Sequence, residues 1–260
     1  MLYDLVVVIP VYNEEACINT VIKSWYDMLF DLKIHFLIIV LNDGSQDGTA
    51  DVLARFADNE RISIINKKNS GHGSTILMGY HKAVKIAEWV FQCDSDDEMK
   101  ADYFPKLWTE RQKYVALFGV RENRTQNFAR KLISAVSRLI VKLLFGQGVI
   151  DVNTPYRLMR SDVLKPIITQ IPANTFAPNL IISGTLAQSE LLLYNVPIPY
   201  QSRKTGKVSI VKWQLWRIAI LSFWQTLRCR PKINDMTFSD VMLRNRAKGG
   251  LEAIVSLPYE

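Results

Sequence analysis

Two aspartates, Asp94 and Asp96, stand two residues apart in the run FQCDSDDEM, directly after the apolar stretch 89–93, which reads as the end of a buried strand. Carboxylates so spaced at a strand end can grip one divalent cation. Hard cations such as Mg2+ or Mn2+ take oxygen ligands and keep coordination positions open for a substrate's phosphates, so a sparse pair suits a nucleoside diphosphate better than a closed structural cage. Taken alone, the same run also reads as a solvated acidic turn.

The elements around the pair favour the first reading. Short β-branched runs alternate with longer helical patterns: residues 5–10 then 14–30, 35–41 then 49–57, 62–66 then 74–87, and finally 89–93. This is the βαβ rhythm of a mostly parallel, Rossmann-like α/β sheet with helices on both faces. Ligands of such sheets bind where the loops gather beyond the carboxyl ends of the strands. Those loops hold the polar signals here: Tyr12, Asn13 and Glu14 after the first strand, NDGSQDGT after the second, NKKNSGHG after the third and DSDDE after the fourth. Gly44, Gly48, Gly71 and Gly73 permit tight turns or close backbone approach to a ligand, and each also reads as ordinary loop punctuation.

With 260 residues, 48% of them apolar, the chain can bury one substantial core. The three cysteines, Cys17, Cys93 and Cys229, lie far apart without metal-ligand spacing, and read as reduced packing residues. The opening MLYDLVVVIPVYNEE lacks a charged leader and reads as a strand rather than a signal peptide. The richest apolar segment, 208–227, carries Lys212 and Arg217, so the chain is expected not to span a membrane and to be cytoplasmic. A net charge of +7 fits nucleic acid, an anionic membrane or phosphorylated substrates, but no zinc-finger, helix-turn-helix or RNP-like pattern supports nucleic acid.

Taken in order, VVVIPVYNEE, LNDGSQDGT, the cluster of Asn69, Gly71 and Gly73, and then DSD resemble a family 2 glycosyltransferase of the GT-A fold, over about residues 4 to 210. The resemblance implies that Pro10, Tyr12 and Glu14 line a nucleotide pocket together with Asn69 and Gly71. It implies that Asp43 accepts a hydrogen bond from the base, and that Asp94 and Asp96 hold a metal on the diphosphate, with Glu98 able to add a ligand. Asn42 stands where the family's DDGS pattern has its first aspartate.

In the second half, GVRENRTQNFARKLIS followed by DVNTPYRLMR resembles the polyprenyl-phosphate sugar transferases, of which dolichyl-phosphate mannose synthase is the familiar example. Arg121, Arg130 and Ser134 match positions that hold the acceptor phosphate there, and a guanidinium fork suits that role. The bland role of these arginines is surface charge around a helix start. NTPY departs from the family's Ser-Gly, and Arg203 and Lys207 in RKTGKVS are approximate counterparts of its basic loop.

The expected enzyme is thus a metal-dependent, inverting transferase that moves a sugar from a nucleotide sugar, UDP more readily than GDP by the family's habits, to a polyprenyl phosphate. A lipid phosphate is already an anion and needs orientation and charge compensation, which Arg121 and Arg130 would supply while Asp96 acts through the metal. A rival acceptor is a sugar hydroxyl in cell-surface polysaccharide assembly, which needs a carboxylate such as Asp97 or Asp151 to take its proton. A third reading is a catalytically silent nucleotide-sugar-binding scaffold.

The expected organisation is a catalytic domain over 1–210, with a nucleotide-binding half at 1–98 and an acceptor half at 99–210, followed by an amphipathic helix and tail over 211–260. Apolar positions recur at helical spacing over 131–145, and again through Trp213, Trp216, Ile220, Phe223, Trp224 and Leu227 among basic residues. The first stripe reads as core and the second as a peripheral membrane contact, with core packing or a dimer seam as the alternative.

Overall fold

A computed structural model of the chain describes residues 1–122, 154–188, 192–199, Trp224, Gln225, Arg228 and Cys229. The strands are β1 (Tyr3–Val11), β2 (Phe36–Asn42), β3 (Ile62–Asn66), β4 (Ala87–Gln92), β5 (Ala116–Glu122), β6 (Arg157–Arg160) and β7 (Leu193–Pro199). The described helices are α1 (Ile18–Asp31), α2 (Thr49–Ala54), α3 (His72–Ala83), α4 (Phe104–Glu110), α5 (Ser161–Ile168) and α6 (Pro178–Gln188).

The strands form one sheet in the order β3-β2-β1-β4-β6-β5-β7. β6 runs antiparallel to both of its neighbours, β4 and β5, whereas the other pairs are parallel. The carboxyl ends of β1, β2, β4 and β5 therefore leave the same edge, and β6 begins there. Across the middle of the sheet Gln92, Arg157 and Phe118 share one register row. Asp94 lies two residues beyond that row on the β4 side, and Arg121 three residues beyond it on the β5 side.

Alternation along β1 explains how one strand feeds two cores. Val6 and Val8 face a cluster closed by α3, α5 and α6, while Leu5, Val7, Ile9 and Val11 face one closed by α1 and α4. A strand covered on both faces has no polar side, hence the unbroken run LVVVIPV. Pro10 is tolerated because its missing N–H falls past the last β1–β4 partner pair, Val8 with Gln92.

Beneath the acidic run an aromatic group sets the floor. Phe91 packs against Trp25 at 4.9 Å, Phe104 at 4.9 Å and Tyr156 at 4.7 Å between ring centroids. The Tyr156 hydroxyl donates to the Lys100 carbonyl at 3.1 Å, and Met99 is buried, so the run 94–98 is anchored at its far end as well as by β4.

Candidate functional site

The loops after β1 and β2 are zipped together by backbone N–H groups of each loop donating to side-chain oxygens of the other. Asn13, at φ 56°, donates its N–H to Ser45 Oγ at 3.0 Å and accepts from the Gln46 N–H at 2.8 Å through Oδ1. Asparagine is one of the few side chains that adopts this left-handed conformation readily. The Glu14 N–H donates to Thr49 Oγ1 at 2.9 Å, and Glu15 Oε2 accepts from the Gly48 N–H at 3.0 Å. Burial raises the Asp47 carboxyl, but donors from Thr49 and the Glu15 N–H outweigh it and hold the group below the usual aspartate value. Tyr12 is half-buried on this loop, and Pro10 is buried in β1 below it.

Asp43, which follows β2, is buried and held by the loop after β3. Its Oδ1 accepts from the Ser70 N–H at 2.9 Å and from the Lys67 ammonium, and its Oδ2 accepts from the Gly71 N–H at 2.9 Å. Two backbone donors and one ammonium thus fix the carboxylate in place. Gly44, at φ 70°, lets the chain turn away beneath Asn69, whose backbone nitrogen would sit 2.7 Å from a side chain at that position. The Asn42 amide donates to Asn66 Oδ1 at 2.9 Å, across the β2–β3 register, and its Oδ1 accepts from the Ser45 N–H at 3.1 Å. An aspartate there would lack the donor for Asn66.

The acidic run meets both loops. The Cys17 thiol lies 3.1 Å from Glu14 Oε2 and 3.2 Å from the Ser95 carbonyl, between the first loop and the segment joining Asp94 to Asp96. Asp94 is partly exposed, with His72 Nε2 3.8 Å from its Oδ1 and the Gln92 amide nitrogen 3.5 Å from the same atom. Asp96 Oδ1 accepts from the Glu98 N–H at 3.2 Å. Asp97, at φ 57°, pairs with Lys100 at 2.9 Å, and this bond holds the Lys100 ammonium above its usual value. Burial, reinforced by Asp94 and Asp96, pushes the Cys93 thiol well up, so it stays a neutral packing group.

Behind Asp94 the polar contacts continue into the core. Tyr80, Gln92, Asn179, Ser183 and Arg157 are all buried. The Arg157 guanidinium donates to the Thr154 carbonyl at 2.7 and 2.9 Å and to the Asn179 carbonyl and Ser183 Oγ at 3.3 Å. Its carbon lies 5.4 Å from the Phe118 ring centroid.

The structure brings Pro10, Tyr12, Glu14, Asp43, Asn69, Gly71, Asp94, Asp96 and Glu98 to one edge of the sheet, with Arg121 leaving that edge at the end of β5. Arg130, Ser134, Asp151, Arg203 and Lys207 lie outside the described residues. Among the described residues no three His, Cys, Asp or Glu side chains are gathered into a ready-made metal cage. Sequence reasoning missed Lys67, His72 and Cys17 as parts of this edge. The first two stand in NKKNSGHG, where the loop's composition was the available signal.

Residues 6–168 match the family model described as Glycosyl transferase family 2. Similar curated proteins include undecaprenyl-phosphate 4-deoxy-4-formamido-L-arabinose transferases from Proteus mirabilis (strain HI4320), 26% identical, and Pectobacterium carotovorum subsp. carotovorum (strain PC1), 28% identical. Each comparison takes in 79% of this chain and 63% of the relative, so the chain spans under two thirds of those proteins' length. Among solved structures, glucosyl-3-phosphoglycerate synthase from Mycobacterium tuberculosis in complex with phosphoglyceric acid superposes with a TM-score of 0.64 at 16% identity, covering 89% of this chain and 81% of that one. The same enzyme in complex with Mn2+, UDP and phosphoglyceric acid gives 0.64 at 16% identity, covering 89% and 80%. At that identity it is the fold that is shared.

Proposed function

The chain belongs to glycosyl transferase family 2 and carries the GT-A fold, and on that premise we propose that it transfers a sugar from a nucleoside diphosphate, UDP rather than GDP, to a polyprenyl phosphate. The observation that carries this reading is the meeting of three features on one sheet edge: the locked loops after β1 and β2, the Asp94–Asp96 pair, and Arg121 at the end of β5.

Asp94 and Asp96 fit a divalent cation, Mg2+ or Mn2+, because they offer hard oxygen donors from a partly exposed run that leaves room for phosphate oxygens. Such a cation, when bound, supplies positive charge to offset the charge gathering on the departing diphosphate. The chain's own groups do the rest. Asp43 presents a carboxylate whose backbone bonds fix its direction, as recognition of a base N–H requires. Arg121 orients an acceptor phosphate that already carries its negative charge, so no general base is needed. Arg130, Ser134 and Arg203 are proposed to share that phosphate, and Asp151 to orient its neighbours. The single displacement inverts the anomeric centre.

The acceptor's lipid would be met at the cytoplasmic face of a membrane. Gln225 and Cys229 face the body of the protein, accepting the Phe176 N–H at 2.9 Å and lying 3.4 Å from the Gln170 carbonyl respectively. Trp224 and Arg228, one turn apart, are exposed, and an aromatic beside a cation suits an anionic interface. No helix among the described residues is long and apolar enough to cross a membrane.

The test is transfer of label from UDP-sugars and GDP-mannose to polyprenyl phosphate in Mn2+ or Mg2+, read as label partitioning into organic solvent. The expected result is metal-dependent organic label that falls on the order of 100-fold in Asp96→Asn. Label on a glycan hydroxyl instead would overturn the acceptor, and nucleotide binding without transfer to either would leave a silent binder.

A further inference from the structure

Gln92 is fully buried at the end of β4, two residues before the first aspartate of the acidic pair. Burial of a primary amide is costly unless both ends find partners, and here they do. Its Oε1 accepts from the Tyr80 hydroxyl at 2.6 Å and from the Asn179 Nδ2 at 2.8 Å. Its Nε2 faces Asp94 Oδ1 at 3.5 Å. The opposite orientation would set the amide oxygen against a carboxylate oxygen and the NH2 group against the NH2 group of Asn179. The amide can therefore point only one way, with a donor aimed at Asp94.

That orientation is fixed from further back. Asn179 is fixed through its carbonyl by Arg157, and its Oδ1 lies 3.0 Å from the Tyr80 hydroxyl. Burial raises the Tyr80 phenol; Arg157 opposes the shift and Asp94 adds to it, and the net shift is upward, so the hydroxyl keeps its proton as a donor. The chain of contacts runs from Arg157 on β6 through Asn179 on α6 and Gln92 on β4 to the one carboxylate oxygen that also faces His72.

We propose that Gln92, oriented by Tyr80 and Asn179, is a positioning residue that sets the direction in which Asp94 presents its carboxylate to a divalent cation. The inference rests on the metal reading given above. Groups that orient a metal-binding side chain from behind change affinity by about 10-fold or more when removed.

The test uses the full chain and reads Mn2+ binding by electron paramagnetic resonance and UDP binding by calorimetry, with and without Mn2+. Gln92→Met keeps the length and apolar packing but removes the donor. Tyr80→Phe removes only the hydroxyl that fixes the amide. Both variants are expected to weaken Mn2+-dependent UDP binding about 10-fold, with metal-free UDP binding close to that of the parent and Tyr80→Phe still folded. Because Tyr80 acts through Gln92, the double variant should be no weaker than Gln92→Met alone, whereas two independent structural losses would add. Unchanged Mn2+-dependent binding in a folded Tyr80→Phe or Gln92→Met variant, or additive losses, would overturn the inference. Absence of any Mn2+ effect on UDP binding in the parent protein would overturn the metal reading itself, and this inference with it.

Discussion

Lys67 directs its ammonium at the Asp43 carboxylate, the Lys68 carbonyl at 2.9 Å, Ser70 Oγ at 2.7 Å and Thr75 Oγ1 at 3.2 Å. It joins the loops after β2 and β3 while little of either charged side chain meets solvent. Removing the cation alone leaves a buried carboxylate with its compensation gone, the costly way to break such a pair. Lys67→Met is expected to lower stability by about 3 kcal/mol, read as a shift in urea midpoint at pH 7. Asp94 and Asp96 were legible in the sequence because their spacing is local and follows an apolar run. Lys67 and Gln92 were not, because the groups that give them meaning lie 24 residues away at Asp43 and 87 residues away at Asn179. A buried glutamine at the end of a strand pattern has no periodic signature, and its partners exist only once α6 is packed.

At the scale of elements, α3 decides how closely the loop after β3 approaches the rest of the site. It begins beyond Gly71, at φ 88°, and a side chain at Gly73 would lie 2.1 Å from the Phe176 carbonyl oxygen and 2.3 Å from that of Thr175. These are backbone atoms that cannot swing away. Gly73→Ala is expected to destabilise by about 1–3 kcal/mol, measured by urea unfolding. Apolar spacing put this helix at 74–87, but it ends at Ala83, and Ala87 instead pairs with Tyr3 as the first residue of β4. Strand pairing overrode a helical pattern that Val84 and Ile86 would have continued. β1 and β2 were legible as continuous apolar runs because both faces of the sheet are covered there. β6 was not, since the four residues RLMR show neither alternation nor an apolar run.

At the scale of the whole molecule, the net charge of +7 and the outward pair Trp224 and Arg228 belong to one question, attachment to an anionic surface. Trp224→Ser is expected to reduce co-sedimentation with phosphatidylglycerol-containing vesicles several-fold at low salt, with little change in unfolding midpoint, since the side chain is half exposed. Loss of binding for the parent protein at raised salt would accompany it. The sheet order carries a further consequence, for synthesis. Strands β3, β2, β1 and β4 are complete once residue 92 has emerged, yet the strand that pairs with the open side of β4 begins at Arg157. At ribosomal speeds of roughly 5–20 residues per second, that edge waits several seconds for its partner. An unpaired strand carrying Trp89, Val90 and Phe91 is a template for another nascent chain, so chaperone demand and expression yield should be governed by the interval between β4 and β6.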